Sequence, residues 1–376
     1  MDAKEIKRML RRGGVSRRQA LQLLGAAGVG VATVKFGGAA RAAGEASYFT
    51  WGGYDLPEMM PGYVEKYGQA PDMPVYADAE EAFQKLRAGF VADVIHPCSG
   101  DTPRWKEAGL IQAIDTSRLS NFPDINPSLL EIKGTQYDGE QWFMPWEWGQ
   151  TSITYRTDLV DPEEESWSIL WNPDYAGKIH MMAAAEDAWW CAAIYAGIDV
   201  TKTNEEGLIT ATDEEIQQVR ELLTEQRDLV RLYSSDMTTI EQALASGELV
   251  AAMTWNESAL SLKGEGVPVK FADPKEGALT WCCGLVLHAE APEPDKAYDL
   301  IDSMISAEVG QYCIEEFGYG HSNVKAFELV SEEDLAARGL TKKPMETIAK
   351  GHFVNAVDPE VQTKINRDWE EIIAGF

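Results

Sequence analysis

A chain of 376 residues is too long for one small core and suits two lobes of ordinary size. Its apolar fraction of 45% and charged fraction of 25% are those of a globular protein, and no apolar run reaches the roughly 18 residues needed to span a bilayer. A formal net charge of −28 disfavours nucleic acid and anionic lipid as partners.

The first 42 residues read as an export signal. They contain a basic stretch, a weakly apolar stretch from Leu21 to Val34 and a small-residue end. The pair Arg17-Arg18 in "SRRQAL" resembles a twin-arginine signal, with Ala20 where Phe is more usual. The triplet "ARA" at Ala40–Ala42 fits cleavage before Ala43, so periplasmic localisation is expected. The remainder holds 24 Lys/Arg against 59 Asp/Glu, a net charge of −35. That surface weakly favours cationic ligands, although salt screening keeps long-range steering small.

The mature chain opens with an apolar run ending in Trp51, a Gly-Gly turn and a helical pattern. A strand at Pro74–Ala77, a helix at Ala79–Ala88 and a strand at Ala92–Pro97 follow. This alternation predicts a parallel sheet covered by helices, with ligands outside the C-terminal strand ends. Trp51 and "PCSGD" (Pro97 to Asp101) fall there.

The segment "QWFMPWEWGQTSITYR" is extended and aromatic, and reads as a crossover strand between lobes. "GKIHMMAAAEDAWWCAAIYAG" reads as strand, loop and helix, and an amphipathic helix starts at Asp213. "GELVAAMTWNESAL" is a strand ending at Trp255, then a helix capped by Asn256. "VPVKFAD" and "ALTWCCGLVLH" are strands, the second a natural return crossover. The last third is helical over roughly 294–317, parts of 328–350, and 359–374. The expected architecture is α/β with two lobes hinged by crossover strands: 43–148 plus 282–327, and 149–281 plus 328–376.

Aromatics recur at predicted strand ends: Trp51 with Tyr54, Trp255, Trp281, and Tyr319 in "FGYGHSN". Trp146, Trp148, Trp189 and Trp190 are further candidates. Each is either core or a wall of a cage that offers ring faces to a cation. Placement at strand ends favours the cage for Trp51, Trp255 and Trp281. Asp187 is either a first-turn carboxylate facing a helix dipole or a ligand contact. Glu147, between two tryptophans, is either solvated at the hinge or aimed into the cleft.

The five cysteines, at 98, 191, 282, 283 and 313, include no CxxC, and their spacing is not that of a zinc site. The histidines, at 96, 180, 288, 321 and 352, are scattered. No metal or cofactor is expected. A Cys98-dependent hydrolase is the enzymatic alternative, but GxSxG, Walker and GxGxxG motifs are absent and His96 is not placed as a base. No catalysis is expected.

From Ser47 onward the sequence resembles the periplasmic solute-binding proteins of polyamine-type ABC importers, the spermidine/putrescine-binding family. "YFTWGGY", "DVIHPCSG", "MPWEWGQTSITYRTDLVDP", "SWSILWNPDYAGKI", "AAMTWNESAL", "PKEGALTWCCGLVL" and "EEFGYGHSN" carry the likeness in the family's order. The resemblance implies a monomeric receptor that closes on a small ligand and delivers it to a membrane permease. It implies ligand contacts at Trp51, Tyr54, Trp255, Trp281 and Tyr319, an acidic contact at Asp187, and contacts at 98, 99 and 283.

Four positions depart from the family. Cys98 replaces a serine, Gly100 an aromatic residue, Ala184 an acid and Cys283 an aspartate that pairs with a ligand ammonium. A primary ammonium needs about three acceptors, whereas a methylated onium needs ring faces. Rings kept while carboxylates are lost therefore predict a quaternary ammonium or sulfonium osmolyte of the glycine betaine, choline or dimethylsulfoniopropionate type. Backbone N–H groups around Ser99–Gly100, or His321 and Asn323, would hold a ligand carboxylate. The Cys282-Cys283 pair reads as small filler, with a vicinal disulfide as the other option. The competing reading is a polyamine binder that uses Asp187, Glu147 or Glu186 in place of the missing aspartate.

Overall fold

The structure is a computed structural model. It describes residues 45–375 except 77–78, 206, 339, 344–347 and 349–350. The expected export signal lies outside the described residues.

The described residues belong to one compact unit. Its first strands are β1 (Tyr48–Trp51), β2 (Val75–Tyr76), β3 (Val94–Ile95) and β4 (Ile111–Gln112). β1 pairs in parallel with both β2 and β3, as the βαβ alternation predicts. A hairpin of β5 (Gln136–Tyr137) and β6 (Glu140–Gln141) turns through Asp138-Gly139. Both turn residues have positive φ, 53° and 81°, the conformation a two-residue hairpin loop requires.

The expected crossovers are the two longest strands, β7 (Met144–Arg156) and, later in the chain, β12 (Leu279–His288). Between them come β8 (Ile179–Met182), β9 (Val230–Ser234), β10 (Ala251–Trp255) and β11 (Val269–Phe271); β13 (Gly320–His321) and β14 (His352–Phe353) follow. The sheet runs β2-β1-β3-β12-β7-β10-β8-β9, with β4 and β14 added at β12, and β11 and β13 at β7. Antiparallel β7 and β12 thus occupy the centre and join the parallel strands on either side.

Apolar helix faces cover these strands. The helix Asp213–Arg227 starts at a reciprocal cap between Thr212 and Glu215, and buries Ile216, Val219 and Leu223. It shares a core with the C-terminal helix Pro359–Ala374, with Trp167 and with both Trp189 and Trp190. Those two tryptophans are therefore core rather than cage. The first strands pack into two other cores, which hold Trp148 and Trp146 respectively. The helical stretch at 294–317 is two helices, Pro294–Met304 and Ala307–Phe317. Ser306 separates them by capping the second through Val309 N.

Asn256 is not the expected cap. The residue before the helix Asn256–Gly264 is Trp255, whose side chain makes no cap bond. Asn256 Oδ1 instead accepts from Gln150 N at 3.1 Å, and its Nδ2 donates to Gly318 O at 2.6 Å. It ties β7 to the chain just before β13.

Candidate functional site

Strand register places the central residues. Trp281 pairs with Gly149, and Cys283 with Glu147, across β12 and β7. Directly opposed residues point to one sheet face, so these four share it. His321 of β13 is also opposite Glu147, and Trp255 of β10 is opposite Thr151 on the same face.

A run of aromatic rings crosses this face. Trp281 meets Tyr319 edge-on at 5.0 Å between centroids, Tyr319 stacks on Phe317 at 6.1 Å, and Phe317 stacks on Tyr54 at 5.6 Å. Tyr54 also meets His96 at 5.0 Å and Trp146 at 5.8 Å. Three expected ligand residues, Tyr54, Trp281 and Tyr319, are thus brought together, with Phe317 as an additional member. Trp51 stands apart: its ring lies 4.8 Å from Tyr76, against the core that includes Phe49. Partly buried Trp255, at the end of β10, packs on the core shared by the helices Asp213–Arg227 and Pro359–Ala374.

Carboxylates gather at the rings. Glu147 is only 2% exposed; its Oε1 lies 3.6 Å from His96 Nε2, and its Oε2 has no hydrogen-bond partner. Glu257 accepts from the Tyr319 hydroxyl at 2.6 Å. Burial, opposed by that bond and reinforced by the Glu147 charge, lifts the Glu257 carboxyl above its ordinary range. Burial also pushes the Tyr54 and Tyr319 phenols well up. The next contribution is the charge of Glu147 for Tyr54 and of Glu257 for Tyr319.

Cys98 and Cys283 are joined by a disulfide. This corrects the reading of the Cys282-Cys283 pair. Cys283 is bridged to Cys98 rather than to its neighbour, and Cys282 is a buried free thiol. The bridge brings the Cys98–Asp101 loop against β12, with Ser99 buried at its start. Burial raises the Asp101 carboxyl to about 6.

Asp187 and Glu186 belong to the first turn of the helix Ala185–Tyr195. Each keeps part of its surface open yet is surrounded by protein. Burial raises Asp187 to about 6. Burial, then the charges of Asp187 and Asp101, raise Glu186 to about 8. Asp101 and this helix start therefore form a second acidic group.

The side chains proposed to hold a ligand carboxylate are committed elsewhere. His321 and Asn323 are fully buried. His321 Nε2 bonds to Met304 O, and its Nδ1 accepts from Asn323 N. The Asn323 amide donates to Ile305 O and accepts from Lys325 N. A cavity of about 300 Å³ is lined by Lys263, Lys270 and Arg338 with Asp273 as its acid, a lining with more basic than acidic side chains that disfavours a cation.

The profile of the bacterial extracellular solute-binding protein family matches residues 68–337. The chain belongs to that family. A spermidine/putrescine-binding periplasmic protein of Escherichia coli (strain K12) is 27% identical over 315 residues, covering 82% of this chain and 86% of its own length. A putrescine/agmatine-binding protein of Pseudomonas aeruginosa is 24% identical over 347 residues, covering 87% and 91%. The crystal structure of a spermidine/putrescine ABC transporter substrate-binding protein from Streptococcus pneumoniae superposes with a TM-score of 0.73 at 19% identity, covering 87% of this chain and 98% of that one. This extracellular solute-binding protein therefore has the expected two-lobe periplasmic-binding-protein fold.

The premise of the methylated-onium expectation needs correction. It required rings without carboxylates, but Glu147 stands opposite Cys283 and Glu257 bonds to Tyr319. Residues 184 and 283 suggested missing charges. Register shows one on the neighbouring strand. Asp187, Glu147 and Glu186 are visible in the sequence as alternatives, whereas nothing there singles out Glu257.

Proposed function

We propose that this protein is the periplasmic receptor of an ABC importer, and that it captures a small organic cation with primary ammonium groups, of the putrescine or spermidine type. Delivery to a membrane permease follows from that role. The carrying observation is a set of five carboxylates: Glu147 and Glu257 at the aromatic rings, and Asp101, Glu186 and Asp187 in the second acidic group. Among the described residues none of them forms an ion pair with lysine or arginine; Arg104, the nearest cation to Asp101, pairs with Glu80 at 2.6 Å.

Uncompensated carboxylates in a low-dielectric site are unfavourable until a cation arrives. Among the described residues, no three His, Cys, Asp or Glu groups converge to hold a metal ion. An elongated organic cation suits separated acids and flat rings better than a metal does. The names of the curated relatives, which include spermidine, putrescine and agmatine, favour the same ligand class.

Export by the twin-arginine route, action as a monomer and the lobe division 43–148 plus 282–327 against 149–281 plus 328–376 belong to this proposal. So do ligand contacts from Trp51, Tyr54, Cys98, Ser99, Asp187, Trp255, Trp281, Cys283 and Tyr319. Calorimetry of the mature protein with putrescine, spermidine, choline, glycine betaine and dimethylsulfoniopropionate tests the reading. Binding of the primary amines is expected. Binding of the methylated compounds alone overturns it.

A further inference from the structure

We propose that Glu147 is the anchor for a ligand ammonium, supplied from β7 because the opposing position on β12 is occupied by a disulfide. The inference rests on the primary-amine reading above. Cys283 and Glu147 are direct cross-strand partners. Side chains at such positions start about 5 Å apart and face the same space. At 283 the side chain is tied to Cys98 and carries no charge. At 147 a carboxylate faces that space.

The surroundings of Glu147 are those of an unfilled acceptor. Its Oε2 is buried and has no partner, although an ionised oxygen away from water needs a donor. His96 is also fully buried, and its Nε2 is unpartnered at 3.6 Å from Oε1, beyond hydrogen-bonding distance, while His321, opposite on β13, has both ring nitrogens committed to Met304 O and Asn323 N. His96 Nδ1 is held by the hydroxyls of Tyr48 at 3.1 Å and Thr50 at 3.0 Å, so the ring is fixed from behind. The Tyr54 hydroxyl lies within hydrogen-bonding reach of the same carboxylate, leaving Oε2 as its open acceptor, and Glu257 is close enough to feel its charge.

A primary ammonium carries three N–H donors. Glu147, Glu257 and the Tyr54 hydroxyl form a matching set of acceptors, with the Trp281 and Tyr319 rings beside them. A quaternary ammonium has no N–H for Glu147 Oε2 and leaves it unsatisfied. Glu147 thereby sets selectivity for primary over fully methylated amines.

The test is calorimetry with putrescine and its hexamethylated analogue on the mature protein, on Glu147→Gln and on Glu147→Gln/Cys98→Ser/Cys283→Asp. Cys98→Ser/Cys283→Ser is the control for loss of the bridge. The parent should bind putrescine and discriminate against the methylated analogue. Glu147→Gln should weaken putrescine about 10- to 100-fold and narrow that discrimination. A carboxylate restored at 283 enters the same space and should recover most of the loss. A purely structural role for Glu147 predicts no such recovery.

If the parent binds putrescine and Glu147→Gln binds it equally well, the anchor is refuted while the primary-amine reading stands. If the parent binds no primary diamine or polyamine, that reading fails and takes the anchor with it. Should Glu147→Gln not fold, the parent's discrimination decides. Equal affinity for putrescine and its hexamethylated analogue refutes the anchor.

Discussion

The indole of Trp281 rests directly on Gly149 of the neighbouring strand. A Cβ at 149 would lie 2.3 Å from Trp281 Cζ2, a separation no pair of non-bonded carbons tolerates. Position 149 is thus glycine because the ring needs that space. Gly149→Ala must tilt the ring away from Tyr319, with an overpacking cost of about 1–3 kcal/mol. The expected result is a lower melting temperature, a changed tryptophan fluorescence spectrum and weaker ligand binding. Unchanged fluorescence and affinity would show that Trp281 does not need its present seat.

The disulfide joins residues 185 positions apart. A cross-link over such a span restricts the unfolded chain strongly, which in the chain-entropy view contributes up to about 5 kcal/mol. Cys98→Ser/Cys283→Ser, or the parent treated with a thiol reductant, should melt at a distinctly lower temperature. Reductant should leave the double variant's melting unchanged. A parent insensitive to reductant, and equal in stability to the variant, would exclude this stabilisation.

The sequence made much of this architecture legible and hid the rest for physical reasons. Strand and helix order follows from local periodicity, and β7 and β12 stand out because their extended runs exceed the other strands. Trp255 and Trp281 fall on strands as expected. The Cys98–Cys283 bridge was not legible, because residues distant in sequence meet only through the antiparallel pairing of β3 with β12. Phe317 looked like an ordinary apolar residue at a helix end. Its ring bridges Tyr54 and Tyr319 only because Gly318 turns the chain with φ of 70°. Asn256 had a cap's chemistry, but tertiary partners at Gln150 and Gly318 took its side chain. Trp189 and Trp190 had the right chemistry for a cage, yet their helix packs into the core it shares with the helices Asp213–Arg227 and Pro359–Ala374.

The Tyr319–Glu257 bond links a ring to an acid across β13 and the helix after β10. Tyr319→Phe keeps the ring but leaves a buried carboxylate without its donor. The expected cost is about 1–3 kcal/mol in stability. Ligand affinity should rise, because a bound ammonium replaces the lost donor at Glu257 and relieves that cost only in the complex. The melting temperature of Tyr319→Phe should therefore rise more on adding putrescine than that of the parent. Equal shifts would mean that the ligand does not reach Glu257.

The acidic group at Asp101, Glu186 and Asp187 gives binding a defined pH dependence. Burial holds Asp101 and Asp187 at about 6 and Glu186 at about 8, above their ordinary ranges near 4. An acid raised in the folded state contributes stability that is fully present below its unfolded pKa and is lost as pH rises through its folded pKa. The ligand-free protein should therefore lose stability as pH climbs from about 4 to about 8. A cationic ligand favours the ionised acids, so binding expels their protons. Amines stay charged over this range, and putrescine affinity should accordingly increase between pH 5 and pH 8. Calorimetry at pH 7 in buffers of different ionisation enthalpy should register proton release, mainly from Glu186. Glu186→Gln should abolish most of that release and flatten the pH profile above 6. A parent that binds putrescine without expelling protons would place these three acids outside the ligand's reach.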